Sequence, residues 1–268
     1  MIQAELHRKL GRDGTLAHSR SEDLLTSTVF GLIKHLPTEI VLLPLLERAR
    51  RAELKEDAVE VQSDAEWMRL TGVRASAMTF WPRWQTYGEP DLLVKLLDGD
   101  GRVVHKVVIE AKLYSPKSNR AQELEEIVDG QDSELKPASS DQLVRYWQYL
   151  QRPCAENKMP ATLVYLTAHS SPPGQDLRES LLKAPHMRLA WLSWRDIWTV
   201  LGHAPVDGIG DNLRADLIAL LECKGLAGFD GFGSLEPPEL HSSGAFFGAS
   251  KYFEFQFPHL TSSGVFYD

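Results

Sequence analysis

Apolar and polar positions divide the chain into segments of different period. Leu25, Val29, Leu32, Ile33 and Leu36 recur at helical spacing before Pro37. Ser21 ahead of them reads as an N-cap, with Glu22 and Asp23 in the first turn, so a helix is predicted over residues 21–36. A second helical stretch is predicted over 39–55, carrying Leu42, Leu43, Leu45 and Leu46 and then Arg48, Arg50 and Arg51. The texture then changes. Strands are predicted from Ser76 to Trp84, Leu92 to Leu97 and Val103 to Leu113, the last two joined by the turn Asp98-Gly99-Asp100-Gly101. A helix follows from Asp141 to Leu150. The apolar runs Ala161–Ala168 and Arg188–Trp194 read as buried strands, the second leading into a helix through Val200, and Asp211–Lys224 is the last helix. This order predicts an α/β sandwich, a central mixed β-sheet flanked by helices.

Two regions stand outside that pattern. Residues 115–140 are polar and net acidic and read as an exposed insertion. Beyond Gly225 the chain turns to Gly, Ser, Phe and Pro, and Leu240–Phe247 is echoed by Leu260–Tyr267. The expected organisation is therefore a domain over 1–225 with N-terminal helices, then an aromatic C-terminal tail over 226–268. The tail suits either edge strands laid over the core or a segment that docks a partner or contacts the substrate.

Composition narrows the function classes. With 43% hydrophobic and 25% charged residues, the chain is of ordinary globular type. Its two cysteines, Cys154 and Cys223, are far apart and lack CxxC spacing, which argues against a disulfide scaffold or zinc ribbon. No stretch approaches the roughly 20 apolar residues of a membrane span, and Met1–Lys9 lacks the apolar core of a signal peptide. A cytoplasmic protein with no membrane partner is expected. The nine histidines show no HxH or HExxH spacing, no GxxxxGK[ST] loop occurs, and Gly228–Gly233 neither follows a strand nor opens a helix. Trp81, Trp84, Trp191, Trp194 and Trp198 are expected in the core.

The chemistry concentrates at one hairpin. Pairing back from the 98–101 turn places Asp91 near Val108, and a single bulge or a slightly different turn brings it level with Glu110. Glu110 and Lys112 are two apart on a strand, so their side chains share a face, while Ile109, Ala111 and Leu113 take the other. Two carboxylates and an ammonium gathered in an apolar sheet are costly unless paired or bound to a cation. Mg²⁺ takes oxygen ligands and keeps several waters, which two carboxylates and a backbone carbonyl permit. The lysine then serves to position or deprotonate the attacking water, or to stabilise charge developing on phosphate.

Pro90-Asp91, followed at a distance by Glu110-Ala111-Lys112, resembles the signature of the PD-(D/E)xK (restriction-endonuclease-like) nuclease superfamily. Gln142-x-x-x-Tyr146 on the next helix resembles the QxxxY motif of its RecB-like branch, and Glu22 resembles the acidic residue of the first helix that completes the metal site. The resemblance implies a restriction-endonuclease-like core and a Mg²⁺-dependent (or Mn²⁺-dependent) endo- or exonuclease acting on DNA, with RNA as the other polymer, in defence against foreign DNA or in repair. Its site would comprise Asp91, Glu110, Lys112, Gln142 and Tyr146, with the metal on Asp91, Glu110, the Ala111 carbonyl and Glu22. A homodimer or a partner protein would supply specificity. The competing expectation is a non-catalytic binding or assembly subunit of the same fold in a nucleic-acid-processing complex. The net charge of -8 opposes polyanion binding, so the nuclease reading requires basic side chains gathered at the cleft. Arg48, Arg50, Arg51, Arg74, Arg83, Lys117, Arg120 and Arg145 are the candidates.

Overall fold

The computed structural model describes residues 18–56, 58–63, 67–68, 70–113, 139–153 and 159–228, all within the unit Met1–Phe229. Most of the 115–140 insertion, the tail from 229, Cys154, Lys117 and Arg120 lie outside the described residues.

Among the described residues, seven strands and six α-helices make an α/β protein. In chain order they are α1 (His18–Ile33), α2 (Leu42–Glu47), β1 (Arg50–Lys55), β2 (Ala58–Ser63), β3 (Ala75–Phe80), β4 (Leu92–Leu97), β5 (Val103–Lys112), α3 (Gln142–Leu150), β6 (Ala161–Thr167), α4 (Gly174–Lys183), β7 (Leu189–Ser193), α5 (Trp194–His203) and α6 (Ile209–Cys223). The strands form one mixed sheet in the order β2-β1-β7-β6-β5-β4-β3. β5, β6 and β7 run parallel, and an antiparallel pair extends the sheet on each side.

Burial follows from this order. Every residue of β6 and β7 is buried, as expected of parallel strands covered on both faces. Alternate side chains of β5 feed two cores. Val107, Ile109, Ala111 and Leu113 join Leu25, Val29 and Phe30 of α1, Leu45 and Leu46 of α2, Trp194 and Ile197 of α5 and Leu217 of α6. Val108 joins Leu163, Tyr165 and Trp191 of the sheet with Leu143 and Tyr146 of α3 and Leu177 of α4. The sheet is thus the middle layer of a sandwich. Among the described residues no helix is long and apolar enough to cross a membrane.

Several elements differ from expectation: the strand predicted from Ser76 to Trp84 ends at Phe80, β2 has no predicted counterpart, and the first two helices change. The first helix starts at His18, so Ser21 does not cap it and its first turn holds no acidic residue, while its apolar stripe Leu25, Val29, Phe30 and Ile33 is buried. The stretch predicted as helix over 39–55 breaks after Glu47, and Arg50–Lys55 turns back as a strand paired to both β2 and β7. Its side chains are ordinary helix formers by propensity, and tertiary pairing overrides them.

Candidate active site

The hairpin β4–β5 departs from simple pairing twice, at a turn that sets Leu97 opposite Val103 and at a register shift between Leu96 and Leu97, after which Leu92 faces Ile109. Asp91, one residue before β4, therefore stands level with Glu110. Its main-chain oxygen accepts from the Trp81 N–H at 3.1 Å, and its side-chain Oδ2 accepts from the Ala111 N–H at 2.8 Å. A side chain thus continues the ladder where β4 ends. The N–H and C=O of one strand residue point to the same neighbour, so the Ala111 carbonyl opens toward the Asp91 edge as well.

The loop from Trp81 to Pro90 fixes this position. Trp81 and Gln85 both adopt left-handed backbone, at φ 47° and 46°, a conformation costly for such residues and kept only where packing holds it. Trp84 supplies that packing, edge-on to Tyr146 at 5.7 Å and stacked on Tyr149 at 4.1 Å. Gly88 has φ 105°, and a Cβ there would lie 3.2 Å from the Tyr146 ring. Only glycine suits both demands.

Lys112 lies between two carboxylates, with Nζ 2.7 Å from Glu110 Oε1 and 3.0 Å from Glu22 Oε1. The second oxygen of Glu22 accepts from the Leu113 N–H at 2.8 Å. Glu22 therefore meets the centre through Lys112 and the end of β5, with both oxygens engaged. Gln142 and Tyr146 are joined directly, Nε2 donating to the phenolic oxygen at 2.7 Å. The helix that carries them is set by Asp141, whose Oδ1 accepts from the Leu143 and Val144 N–H groups.

The electrostatics are those of a site with excess negative charge. Burial pushes Asp91 well above the usual carboxylate range, and the neighbouring Glu110 adds to the rise against Lys112 and the Ala111 N–H. Burial also raises Glu110, with Lys112 opposing and Glu22 reinforcing. For Lys112, burial acts downward, but Glu110, Asp91 and Glu22 overcome it and hold the ammonium above its usual value. Tyr146 is raised by burial and then by the same two carboxylates. Although Tyr146 lies close enough to favour the charged form of Glu110, Glu110 Oε2 is buried with no hydrogen-bond partner among the described residues.

The structure thus brings Asp91, Glu110, Ala111, Lys112, Gln142, Tyr146 and Glu22 together. Among the described residues no three His, Cys, Asp or Glu side chains gather as a ready ligand set; Asp91 and Glu110 stand as a pair. The donor set nevertheless fits a hard divalent cation, because it offers carboxylate oxygens, one of them buried and unsatisfied, beside a main-chain carbonyl. Three neighbours were missed in the sequence. Asp23, read only as a first-turn carboxylate, adds to the rise at Asp91. Tyr165 lies in register with Glu110 and donates to Asp176 at 3.0 Å. Register is not legible within an apolar run, and no local pattern marks Asp176.

The expected basic residues divide. Arg74 pairs with Glu39, Arg83 with Glu89 and Arg51 with Glu53. Arg145 is buried, its Nη1 donating to the carbonyls of Ser139 and Ser140, so it does not face a substrate. Arg48 and Arg50 both reach Asp196. Compared with the models of protein families, with curated proteins and with solved structures, the chain matches none.

Proposed function

We propose that this chain is a metal-dependent nuclease of the PD-(D/E)xK, restriction-endonuclease-like type, hydrolysing phosphodiester bonds of DNA. The observation that carries the reading is the unsatisfied, buried Oε2 of Glu110 beside Asp91, on the strand end that also presents Lys112. A buried acceptor without a partner costs about 1–3 kcal/mol, and a cation removes that cost. Asp91, Glu110 and the Ala111 carbonyl are the residues that would hold Mg²⁺ or Mn²⁺. Bound there, the ion would polarise the phosphoryl group and lower the pKa of a water.

The chain's own groups divide the remaining work. Three carboxylates keep Lys112 protonated, so it acts as a fixed positive charge and hydrogen-bond donor to the developing phosphorane rather than as a base. Glu22 fixes the Lys112 ammonium from the first helix. The Gln142–Tyr146 pair closes the same face beside Glu110, and the buried ring of Tyr146 keeps water from it.

The test incubates the full chain with plasmid and with single-stranded DNA in Mg²⁺, Mn²⁺ or EDTA. Cleavage is expected with either metal and none with EDTA. Asp91→Ala and Glu110→Ala should each lose about a hundredfold or more of it. Undiminished cleavage by both variants, or metal-independent cleavage, would overturn the assignment. DNA binding without cleavage under any condition would move the weight to a binding subunit of the same fold.

A further inference from the structure

One register line crosses four strands on the face that bears Glu110. Glu110 faces Tyr165, Tyr165 faces Trp191, and Trp191 faces Arg50. We propose that Arg50 and Arg48, at the far end of this line, form a subsite for a backbone phosphate of the nucleic acid cut at Glu110. The proposal rests on the nuclease reading above and adds a second contact to the same polymer, remote from the scissile bond. Three strand spacings put the Arg50 backbone about 14 Å from that of Glu110, on the order of four base steps at the 3.4 Å rise of duplex DNA.

The two guanidinium groups are built in place. Arg50 lies over the Trp191 ring at 4.8 Å, and that indole is pinned by its own hydrogen bond to Thr167 Oγ1 at 2.9 Å. Two Arg50 nitrogens bond both oxygens of Asp196, at 3.1 and 3.2 Å. Asp196 is itself fixed at the start of α5, accepting from the Ser193 N–H in a capping box. Arg48 then adds a second guanidinium through Nε alone, at 3.2 Å from Asp196 Oδ1. Its Nη1 and Nη2 have no hydrogen-bond partner among the described residues.

Charge distinguishes this pair from the other arginines at issue. Arg51, Arg74 and Arg83 each have a carboxylate of their own, whereas here two guanidinium groups share one. Glu47, next along the chain, forms no ion pair with Arg48 among the described residues. One positive charge is left over. The side chains are 44% and 29% exposed for Arg48 and Arg50, and the Nη1/Nη2 fork of Arg48, which Asp196 does not engage, matches a phosphate in two bonds while Arg50 adds its charge beside it. Stacking and the shared carboxylate hold the forks still before a ligand arrives, which lowers the entropy lost on binding. The occupant that fits is a phosphodiester, an anion carried in line with the scissile one.

The experiment measures affinity of the full chain for a short labelled DNA duplex in Ca²⁺ across a salt series. Arg48→Ala, Arg50→Lys and the Arg48→Ala/Arg50→Lys double variant are compared with Arg74→Ala, with melting temperatures as the fold control. Each phosphate contact contributes about 0.9 to the slope of log affinity against log salt. Arg48→Ala should lower that slope by about this amount and weaken binding, and the double variant should weaken it further. Arg74→Ala should leave slope and affinity as in wild type. An unchanged slope in a correctly folded double variant, or an equal loss with Arg74→Ala, overturns the subsite while leaving the nuclease reading standing. Failure of the wild type both to bind and to cleave overturns the two together.

Discussion

The two ends of strand β5 bury charged and titratable side chains at similar depth and resolve them in opposite ways. At the N-terminal end, His105 is 2% exposed, and its Nε2 meets Thr162 Oγ1 at 3.0 Å. Burial, with Arg188 nearby, brings its pKa down to about 4, so the ring is neutral and satisfied. Arg188 itself lies over the Trp67 ring at 4.9 Å. At the C-terminal end, Asp91, Glu110 and Glu22 surround the single ammonium of Lys112, and one carboxylate oxygen remains without a partner. The first arrangement serves the fold alone. The second spends stability on holding like charges together, an imbalance that the proposed metal would relieve.

The largest expected effect breaks the negative end at its centre. Lys112→Met leaves Glu110 and Glu22 buried without their cation, and removing one partner of a buried pair costs about 3–5 kcal/mol. Urea unfolding at neutral pH in EDTA should show that loss. Asp91→Asn in the same buffer should unfold no earlier than wild type, because it removes a like charge and keeps an acceptor for the Ala111 N–H. Equal stability of wild type and Lys112→Met would mean that the ammonium does not neutralise this end.

A pH series separates the two ends by sign. His105 has a folded pKa of about 4 against 6.5 for the free group. Its contribution is therefore present above pH 6.5 and is lost as pH falls from 6.5 toward 4, in total about 3 kcal/mol at 1.36 kcal/mol per unit. Asp91 and Glu110 are raised, so their contribution is present below the usual carboxylate range and is lost as pH rises through their folded values. In EDTA, His105→Gln should flatten the acid limb of the stability profile, and Asp91→Asn should flatten the opposing trend. Adding Mn²⁺ should restore the stability lost at neutral pH in wild type and not in Asp91→Asn. Identical profiles in wild type and both variants would erase the contrast.

The smallest effect sharpens the boundary of the negative end. Tyr146→Phe removes the acceptor of the Gln142 amide while keeping the ring against Gly88. A single hydrogen bond contributes about 1 kcal/mol, so thermal unfolding should shift slightly. Cleavage should fall further than stability does if the hydroxyl supports Glu110. An unchanged melting point and an unchanged rate would place Tyr146 outside the site.

The legible part of this protein was whatever is local. Glu110 and Lys112 share a face because strands have period two, and the length between the 98–101 turn and the motif shows that a turn change or a bulge must level Asp91 with Glu110, where the structure uses both. The inward stripe of the first helix carried Glu22 to the centre, although its start was misplaced. What escaped depends on partners far along the chain. Arg50–Lys55 offers a strand pattern only once β7 lies beside it. Arg145 reads as an exposed helix cation and is buried against the carbonyls of Ser139 and Ser140. Tyr165 became a neighbour of Glu110 through parallel register, which nothing in an unbroken apolar run specifies.

The strand order also sets a timetable for synthesis. β3, β4 and β5 are consecutive, so they can pair once the first 112 residues have been made. β1 and β2 are made earlier and pair with each other, but among the described residues the other neighbour of β1 in the sheet is β7, the last of the seven strands to be made. Loop-closure entropy delays such distant pairings. Until Trp191 emerges, Arg50 has no ring to lie over and Asp196 is not yet made, and the β1 edge stays open to any other strand. The hairpin at the sheet's end is thus the segment whose folding a ribosome must wait longest to finish, and the one most exposed to mispairing before then.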